Sequence, residues 1–143
     1  MAPEYQIKLA SAQDLEAIVE AGDSIFDYPV KPNIAEEFLR DPRHHMALAF
    51  LDEKVVGMAS GFDYLHPDKN VQFFINEAGV ADEHQGKGIG RELVKFICRH
   101  AKSLGCKEAW VGTEKSNIIA RKAYAAAGGV EAKEPFILIE FDL

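Results

Sequence analysis

Three glycines fall within five positions, at Gly86, Gly88 and Gly90, where a strand-like segment gives way to a helix-like one. Glycine is a poor helix former, and the loss of three β-carbons lets a ligand approach the main chain closely. Free amides at the first turn of a helix bind anions. The side chains of Lys87 and Arg91 add positive charge beside them. This glycine run therefore predicts a phosphate-binding loop.

Two common phosphate-binding patterns do not fit the run. The pattern G-x-x-x-x-G-K-[ST] needs a Gly-Lys-Ser/Thr triplet, which the sequence lacks. The dinucleotide pattern G-x-G-x-x-G fails because the run reads G-x-G-x-G. A tight strand-to-helix turn without a ligand remains the alternative interpretation of these glycines.

The segment Gln85–Gly90 matches [RQ]-x-x-G-x-[GA] and resembles the acetyl-CoA pyrophosphate loop of the GNAT N-acetyltransferases. A second segment, 117–128, reads N-x-x-A-x-x-x-Y-x-x-x-G and resembles the C-terminal helix of the same family. The order of predicted elements over 1–143 is also similar. The resemblance implies acetyl-CoA as the cosubstrate. Gly129 departs from the family pattern, which commonly has an apolar residue there, and this leaves the local packing open.

The resemblance also implies how the cofactor is held. A bulge separates the strand before the loop from the next strand, and the pantetheine arm pairs with the main-chain groups that this frees. Gly79 suits such a bulge, although packing alone also explains a glycine in a strand. Asn117 would hold the cofactor or cap its own helix. The cofactor-binding residues implied are Ala78, Gly79, Val80, Gln85, Gly86, Lys87, Gly88, Ile89, Gly90, Arg91 and Asn117.

Acetyl transfer to an amine needs a base, because a protonated amine has no lone pair with which to attack. Glu77 lies on the strand before the loop, where the resemblance places a carboxylate, and partial burial there would raise its pKa. Tyr124 lies seven residues after Asn117 and corresponds to the family's acid for the departing thiolate. The alternatives are a solvated strand glutamate and an aromatic packing residue.

The acceptor is less clear from the sequence. Diffuse similarity to the aminoglycoside 3-N-acetyltransferases extends over the segments 24–29, 45–65, 74–80, 114–129 and 139–143. This resemblance implies a cationic acceptor, for which the expected substrate-binding carboxylates are Asp27, Glu77, Glu140 and Asp142. Polyamines, peptides and proteins remain alternative acceptors, as does a non-catalytic acetyl-CoA sensor. Because a glutamate rather than an aspartate is at position 77, the acetylated nitrogen stays open.

Periodicity and turn signals predict the elements that position these residues. A hairpin is expected over 45–65 around Asp52-Glu53, and a helix is expected from the glycines to Gly105. The expected order is β-α-α-β-β-β-α-β-α-β, an α/β (α+β) fold with a mixed, mostly antiparallel sheet and helices on both faces. The remaining elements are strands at 5–10, 71–80, 107–113 and 134–143, helix starts at Ser11 and Asn33, and a helix at 117–128.

The composition is that of an ordinary globular chain. The 143 residues carry a net charge of -7, which disfavours nucleic acid and anionic membranes as partners. Two cysteines form neither a disulfide framework nor, with the histidines, a metal site, and the first residues show no signal peptide. We therefore expect one cytoplasmic domain over 1–143. The apolar run Phe136–Ile139 is compatible with a homodimer through the last strands, and equally with burial in the sheet.

Overall fold

Five strands and four α-helices are formed by residues 4–143, which are the residues that the computed structural model describes. Residues 1–3, which begin the segment where no signal peptide is predicted, lie outside this range. The strands are β1 (Gln6–Leu9), β2 (His44–Leu51), β3 (Lys54–His66), β4 (Lys69–Val80) and β5 (Glu108–Trp110). The helices are α1 (Leu15–Ala21), α2 (Pro32–Arg40), α3 (Ile89–Ser103) and α4 (Ile118–Ala126).

The sheet has the order β1-β2-β3-β4-β5, and only the last pair is parallel. Asp52 and Glu53 connect β2 to β3 with φ values of 49° and 67°. Two consecutive positive φ values are the signature of a type I′ turn, whose twist matches that of the flanking strands. The predicted hairpin and the mixed, mostly antiparallel sheet are confirmed.

Helices cover both faces of the sheet, as predicted. On one face, Leu93 and Ile97 of α3 are fully buried in a cluster with Ala47 and Phe73. On the other face, α1 and α2 pack over a second cluster that contains Leu48. No helix in the described range is long and apolar enough to cross a bilayer.

The helix ends agree with the sequence signals to within a residue or two. The main-chain N–H of Ser11 donates to the carboxylate of Asp14 at 2.8 Å, which completes the predicted capping box. Helix α2 begins at Pro32, one residue before the expected Asn33, because proline suits the first helical position. Gly105 ends α3 with a φ of 92°.

The predicted closing strand at 134–143 is wrong, and the strand predicted at 107–113 is shorter than expected. Residues 134–143 form no strand, and β5 comprises only Glu108–Trp110. A run that is apolar on both faces is typical of a strand whose two faces are both covered by other elements. Among residues 4–143 no strand pairs with the outer edge of β5. Residues 134–143 thus have the sequence pattern of a buried strand but do not join the sheet.

Candidate active site

The glycine run forms the connection from β4 to α3. Gly86 and Gly88 have φ values of 79° and 81°, a region that residues with a β-carbon rarely adopt. Gly88 immediately precedes α3. Within residues 4–143, no main-chain or side-chain acceptor receives the amides of Gly86, Lys87 or Gly88. Unpaired amides at the first turn of a helix are the arrangement with which proteins bind anions.

Gln85 fixes the start of this loop. Its side-chain amide donates to the carbonyl of Val80 at 3.0 Å and to the carboxylate of Asp82 at 3.2 Å. The side chain expected at the cofactor therefore also ties the loop to the end of β4. Lys87 is exposed, and the guanidinium of Arg91 lies 3.3 Å from Glu92 with about half of its side chain exposed, at 47%. Both cations thus remain accessible to a bound anion.

Strand β4 separates from β5 before it reaches the loop. The two strands pair only through Gln72–Phe74 and Glu108–Trp110, so the side of 75–80 that faces β5 has no strand partner. This unpaired edge includes Ala78, Gly79 and Val80, the three residues expected to hold the pantetheine arm. An extended ligand arm fits such an edge as an additional strand.

The bulge in β4 is at Asn76 rather than at Gly79. Ser60 is opposite Glu77, whereas Gly61 is opposite Ile75, so one extra residue is present between them. Gly79 has another reason to be glycine: a β-carbon there would collide with the carbonyl oxygen of Ile25. Strand β4 therefore contains a bulge, as the resemblance implied, and of the two alternatives for Gly79 the packing one applies.

Glu77 lies in a cleft of about 320 Å³ between the α1–α2 connection, α2 and the sheet. Burial raises the pKa of the Glu77 carboxyl, the negative charge of Asp27 raises it further, and the main-chain N–H of Asp27 partly opposes both effects. The pKa is therefore shifted in the direction that a general base at neutral pH requires. Asp27 lines the same cleft.

Tyr124 is half-buried on α4, beside the cluster beneath α3. Burial raises the pKa of its phenol, and the charge of Glu77 raises it further. Glu77 faces the α1–α2 side and Tyr124 the α3–α4 side, so the gap between β4 and β5 lies between them. A raised pKa keeps the phenol protonated at neutral pH, as an acid requires.

Asn117 caps α4: its side-chain oxygen accepts from the amide of Ala120 at 3.0 Å. The capping alternative for this residue is therefore realised, and its side-chain nitrogen stays available for a ligand. Glu140 and Asp142 lie in the exposed segment 134–143 and do not line the cleft that contains Glu77. Of the four expected substrate-binding carboxylates, the structure brings together Asp27 and Glu77.

The model of the acetyltransferase (GNAT) family matches residues 11–128. The chain belongs to the GNAT acetyltransferases. This GNAT protein therefore uses acetyl-CoA, the acetyl donor of the family. The open amides at 86–88 and the unpaired edge of β4 fit a diphosphate and an extended arm.

Solved structures with the same fold include acetyltransferases that act on aminoglycosides. The GNAT chain superposes with a TM-score of 0.83 on an aminoglycoside acetyltransferase from an uncultured soil metagenomic sample, in complex with sisomicin, at 18% identity over 97% of this chain and 96% of that chain. It superposes with a TM-score of 0.80 on the aminoglycoside N-acetyltransferase AAC(6')-Iy in complex with CoA, at 18% identity over 98% and 97%. At these identities the likeness shows the fold.

A curated relative matches part of the GNAT chain. The mycothiol acetyltransferase of Saccharopolyspora erythraea is 33% identical over 60 residues. The match spans 42% of this chain and 19% of that enzyme, so the chain covers about a fifth of the length of this relative.

Two features of the GNAT chain were not predicted from its sequence. The first is the apolar wall of the Glu77 cleft, whose signal was the spacing of Ile34, Ala35, Phe38 and Leu39 on one face of α2. The second joins residues that are far apart in sequence. The imidazole of His45 lies 2.7 Å from Asp63 and 2.9 Å from His100.

Proposed function

We propose that this chain transfers the acetyl group of acetyl-CoA to an amine of a cationic small molecule. The observation that carries the proposal is the position of Glu77, which lines the cleft with Asp27 and lies within electrostatic range of Tyr124. A base on the acceptor side and an acid on the cofactor side are what transfer to an amine requires.

The proposed cofactor contacts are those of the glycine loop and the open edge of β4. The amides of 86–91 hold the diphosphate, Lys87 and Arg91 neutralise its charge, and Gln85 keeps the loop in place. The main chain of Ala78, Gly79 and Val80 holds the pantetheine arm and positions the thioester beside Glu77. When bound, acetyl-CoA supplies the acetyl group as a reactive thioester.

Glu77 is the proposed general base. Its carboxylate first binds the ammonium group of the acceptor and then removes one proton, which frees the nitrogen lone pair for attack on the thioester carbonyl. The neighbouring charge of Asp27 favours uptake of this proton, because it raises the pKa of Glu77. Such a base contributes a rate factor of about 10²–10⁴ in enzymes.

Tyr124 is the proposed general acid. Its phenol donates a proton to the sulfur as the carbon–sulfur bond breaks, so that the thiol leaves in its neutral form. The resulting phenolate takes up the second proton that the nitrogen loses as the amide forms. Burial of the ring and the charge of Glu77 both disfavour the phenolate. The phenol therefore keeps its proton until negative charge develops on the sulfur.

We propose an aminoglycoside as the acceptor, acetylated at its 3-N position. The support is the diffuse similarity to the 3-N enzymes and the likeness in fold to aminoglycoside acetyltransferases, which include 6' enzymes. The pair Asp27 and Glu77, which line the same cleft, would bind the ammonium groups of such an acceptor. A cytoplasmic homodimer that confers antibiotic resistance is part of this proposal.

A second acceptor class has its own observation in favour. Apart from the two carboxylates, Ser60 and Lys31, the cleft is walled by aromatic and aliphatic side chains, among them Phe26, Tyr28, Val30, Ile34 and Phe38. Such a wall suits an amine with one cationic end and an apolar body better than a sugar covered with hydroxyls. An arylalkylamine is the simplest compound of this class.

The test is release of CoA thiol from acetyl-CoA in the presence of gentamicin-like aminoglycosides, spermidine, amino acids, lysine-rich peptides and phenethylamine. Turnover with the aminoglycosides supports the first proposal, and NMR of the product identifies the acetylated nitrogen. Turnover with phenethylamine alone would instead support an arylalkylamine as the acceptor. Silence with every amine, together with a raised melting temperature in acetyl-CoA, would identify a sensor.

A further inference from the structure

Ser60 lies on the sheet side of the cleft that contains Glu77. This side of the cleft consists of Met46 on β2, Ser60 on β3 and Glu77 on β4. The three residues form one cross-strand row, because Ser60 is opposite Met46 in one strand pair and opposite Glu77 in the other. Directly opposite side chains on one face of a sheet have β-carbons about 4.5–5.5 Å apart. The Ser60 hydroxyl and the Glu77 carboxylate are therefore within reach of the same ligand group.

The hydroxyl of Ser60 is unpaired and opens into the cleft. The residue is 6% exposed, and within residues 4–143 its side chain forms no hydrogen bond. In that range the buried side-chain nitrogen or oxygen without a partner is Nδ1 of His84, so the Ser60 oxygen is not sealed inside the protein. Since Ser60 lines the cleft, its remaining accessible surface faces the cleft. An unpaired hydroxyl at this depth is unfavourable, and a ligand in the cleft would provide the missing partner.

Two carboxylates complete a set of three acceptors. Asp27 lines the same cleft, and its charge acts on Glu77. Lys31 also lines the cleft, but an ammonium group donates and cannot accept. The hydroxyl of Tyr28 belongs to a residue that is 80% exposed, whereas Ser60 is on the sheet beside Glu77. Three acceptors are the number that a primary ammonium needs, because it has three N–H donors.

We propose that the hydroxyl of Ser60 accepts the third N–H of the acceptor's ammonium group and so selects a nitrogen that carries three hydrogens. Asp27 and Glu77 accept the other two. The inference rests on the proposed function, since it places the amine at Glu77. A protonated N-methylamine has only two N–H donors, so it leaves Ser60 unpaired against a methyl group. A site that hydrogen-bonds one ligand discriminates against an analogue without that donor, because the polar group of the site then stays unsatisfied.

The test compares phenethylamine with N-methylphenethylamine, which are both cations at neutral pH and differ by one N–H. Their Kd values are measured by isothermal titration calorimetry in the presence of CoA, which has no acetyl group to transfer. We expect the wild type to bind phenethylamine about tenfold more tightly or better, as a hydrogen bond to a charged group implies. Ser60→Ala should weaken phenethylamine about tenfold and N-methylphenethylamine little, so the preference disappears.

Ser60→Cys separates the hydrogen bond from the space that a smaller side chain leaves. A thiol is a weak acceptor and is larger than a hydroxyl, so this variant gives the methyl group no extra room. It should lose the preference as Ser60→Ala does. Ser103→Ala removes an exposed hydroxyl at the end of α3 and should keep the wild-type preference. An unchanged increase in melting temperature with acetyl-CoA shows that each variant is folded.

The outcomes distinguish the role of Ser60 from the transfer reaction. A wild type that binds neither amine or shows no preference, or a preference that both Ser60 variants keep, overturns the role of Ser60. Release of CoA from acetyl-CoA is measured separately with the same two amines. The expected binding preference without any release would support the role of Ser60 and refute the transfer. Release with phenethylamine at equal kcat/KM in wild type and Ser60→Ala would support the transfer and refute the role of Ser60.

Discussion

The carbonyl oxygen of Ile25 lies against the α-carbon of Gly79, and a β-carbon at position 79 would collide with it. Both atoms belong to the main chain, so the contact cannot be relieved by a change of side-chain rotamer. The contact fixes how closely the α1–α2 connection approaches β4. This connection carries Asp27, which lines the same cleft as Glu77.

We expect Gly79→Ala to lower the free energy of unfolding by about 1–3 kcal/mol, as overpacked sites do. The displaced connection moves Asp27, so KM for the amine should rise more than Kd for acetyl-CoA. Urea unfolding and steady-state kinetics measure the two effects. The control is Gly112→Ala, outside the loop, where the nearest atom to the new β-carbon is Phe136 Cζ at 3.7 Å. Equal behaviour of the two variants would contradict this assignment.

Gly88→Ala should weaken acetyl-CoA binding. The φ of 81° strains alanine, and the new methyl group meets the guanidinium of Arg91 beside the open amides. The increase in melting temperature caused by acetyl-CoA should shrink. Gly105→Ala is a matched control, because its φ of 92° carries the same backbone strain with no neighbour within 4 Å and no role at the loop. If both variants keep the full acetyl-CoA shift, the anion site lies elsewhere.

Glu77→Gln should reduce kcat by about 10²-fold or more and leave Kd for acetyl-CoA nearly unchanged. In the wild type, kcat/KM should rise with pH as Glu77 loses its proton, with a midpoint above that of a free glutamate because the pKa is raised. Asp27→Asn removes the neighbouring negative charge, so this midpoint should move to lower pH. A profile that is identical in wild type and Asp27→Asn would rule out Glu77 as the titrating base.

Tyr124→Phe should reduce kcat by about 10²-fold and change Kd for acetyl-CoA little, since only the hydroxyl is lost. A donor ester with a better leaving thiol should restore part of the rate, because that thiol needs its proton less. Tyr64→Phe serves as the control: its hydroxyl accepts a hydrogen bond from Trp110 at 2.7 Å, away from the cleft of Glu77. Full activity of Tyr124→Phe would assign the acid to another group.

The chain Asp63–His45–His100 should make the fold sensitive to acid. When His45 is neutral and donates to Asp63, its second nitrogen accepts from His100. Burial lowers the pKa of His100, the charge that a protonated His45 carries lowers it further, and Asp63 opposes both effects in part. The unfolded chain therefore takes up protons first, and the free energy of unfolding should fall as pH drops below about 6.5.

His100→Gln should flatten that pH dependence of stability, measured by urea unfolding between pH 5 and pH 8. Ser103→Ala, at an exposed residue of the same helix without a titrating group, should leave the slope unchanged. A wild-type stability that is constant over this range would remove any role for His100 in acid sensitivity.

Local signals in the sequence were sufficient for much of the fold and for the glycine loop. The Asp52-Glu53 turn and the stop at Gly105 depend on a few neighbouring residues, so their patterns predict structure directly. The spacing of the glycines predicted the strand-to-helix connection for the same reason, since Gly86 and Gly88 adopt positive φ values there. The GNAT family and acetyl-CoA as the acetyl donor were predicted from the motifs at Gln85–Gly90 and 117–128.

Features that depend on distant contacts were not accessible in this way. The reason for Gly79 is a main chain that is 54 positions earlier, at Ile25. His45 and His100 meet only because α3 packs on β2. Residues 134–143 have the sequence pattern of a buried strand, but such a pattern does not identify the strand with which they would pair.

The three residue pairs between β4 and β5 have a consequence for how the molecule comes apart. The part after α3 joins the sheet through this short ladder and packs on the main cluster largely with half-buried side chains, such as Val111 and Tyr124, whereas the meander and α3 supply most of the fully buried residues. Amide hydrogens of 107–126 should therefore exchange with solvent by local opening long before those of β2 and β3. Acetyl-CoA bound in the gap between β4 and β5 would connect this part of the chain to the sheet, and so slow the exchange of its amide hydrogens.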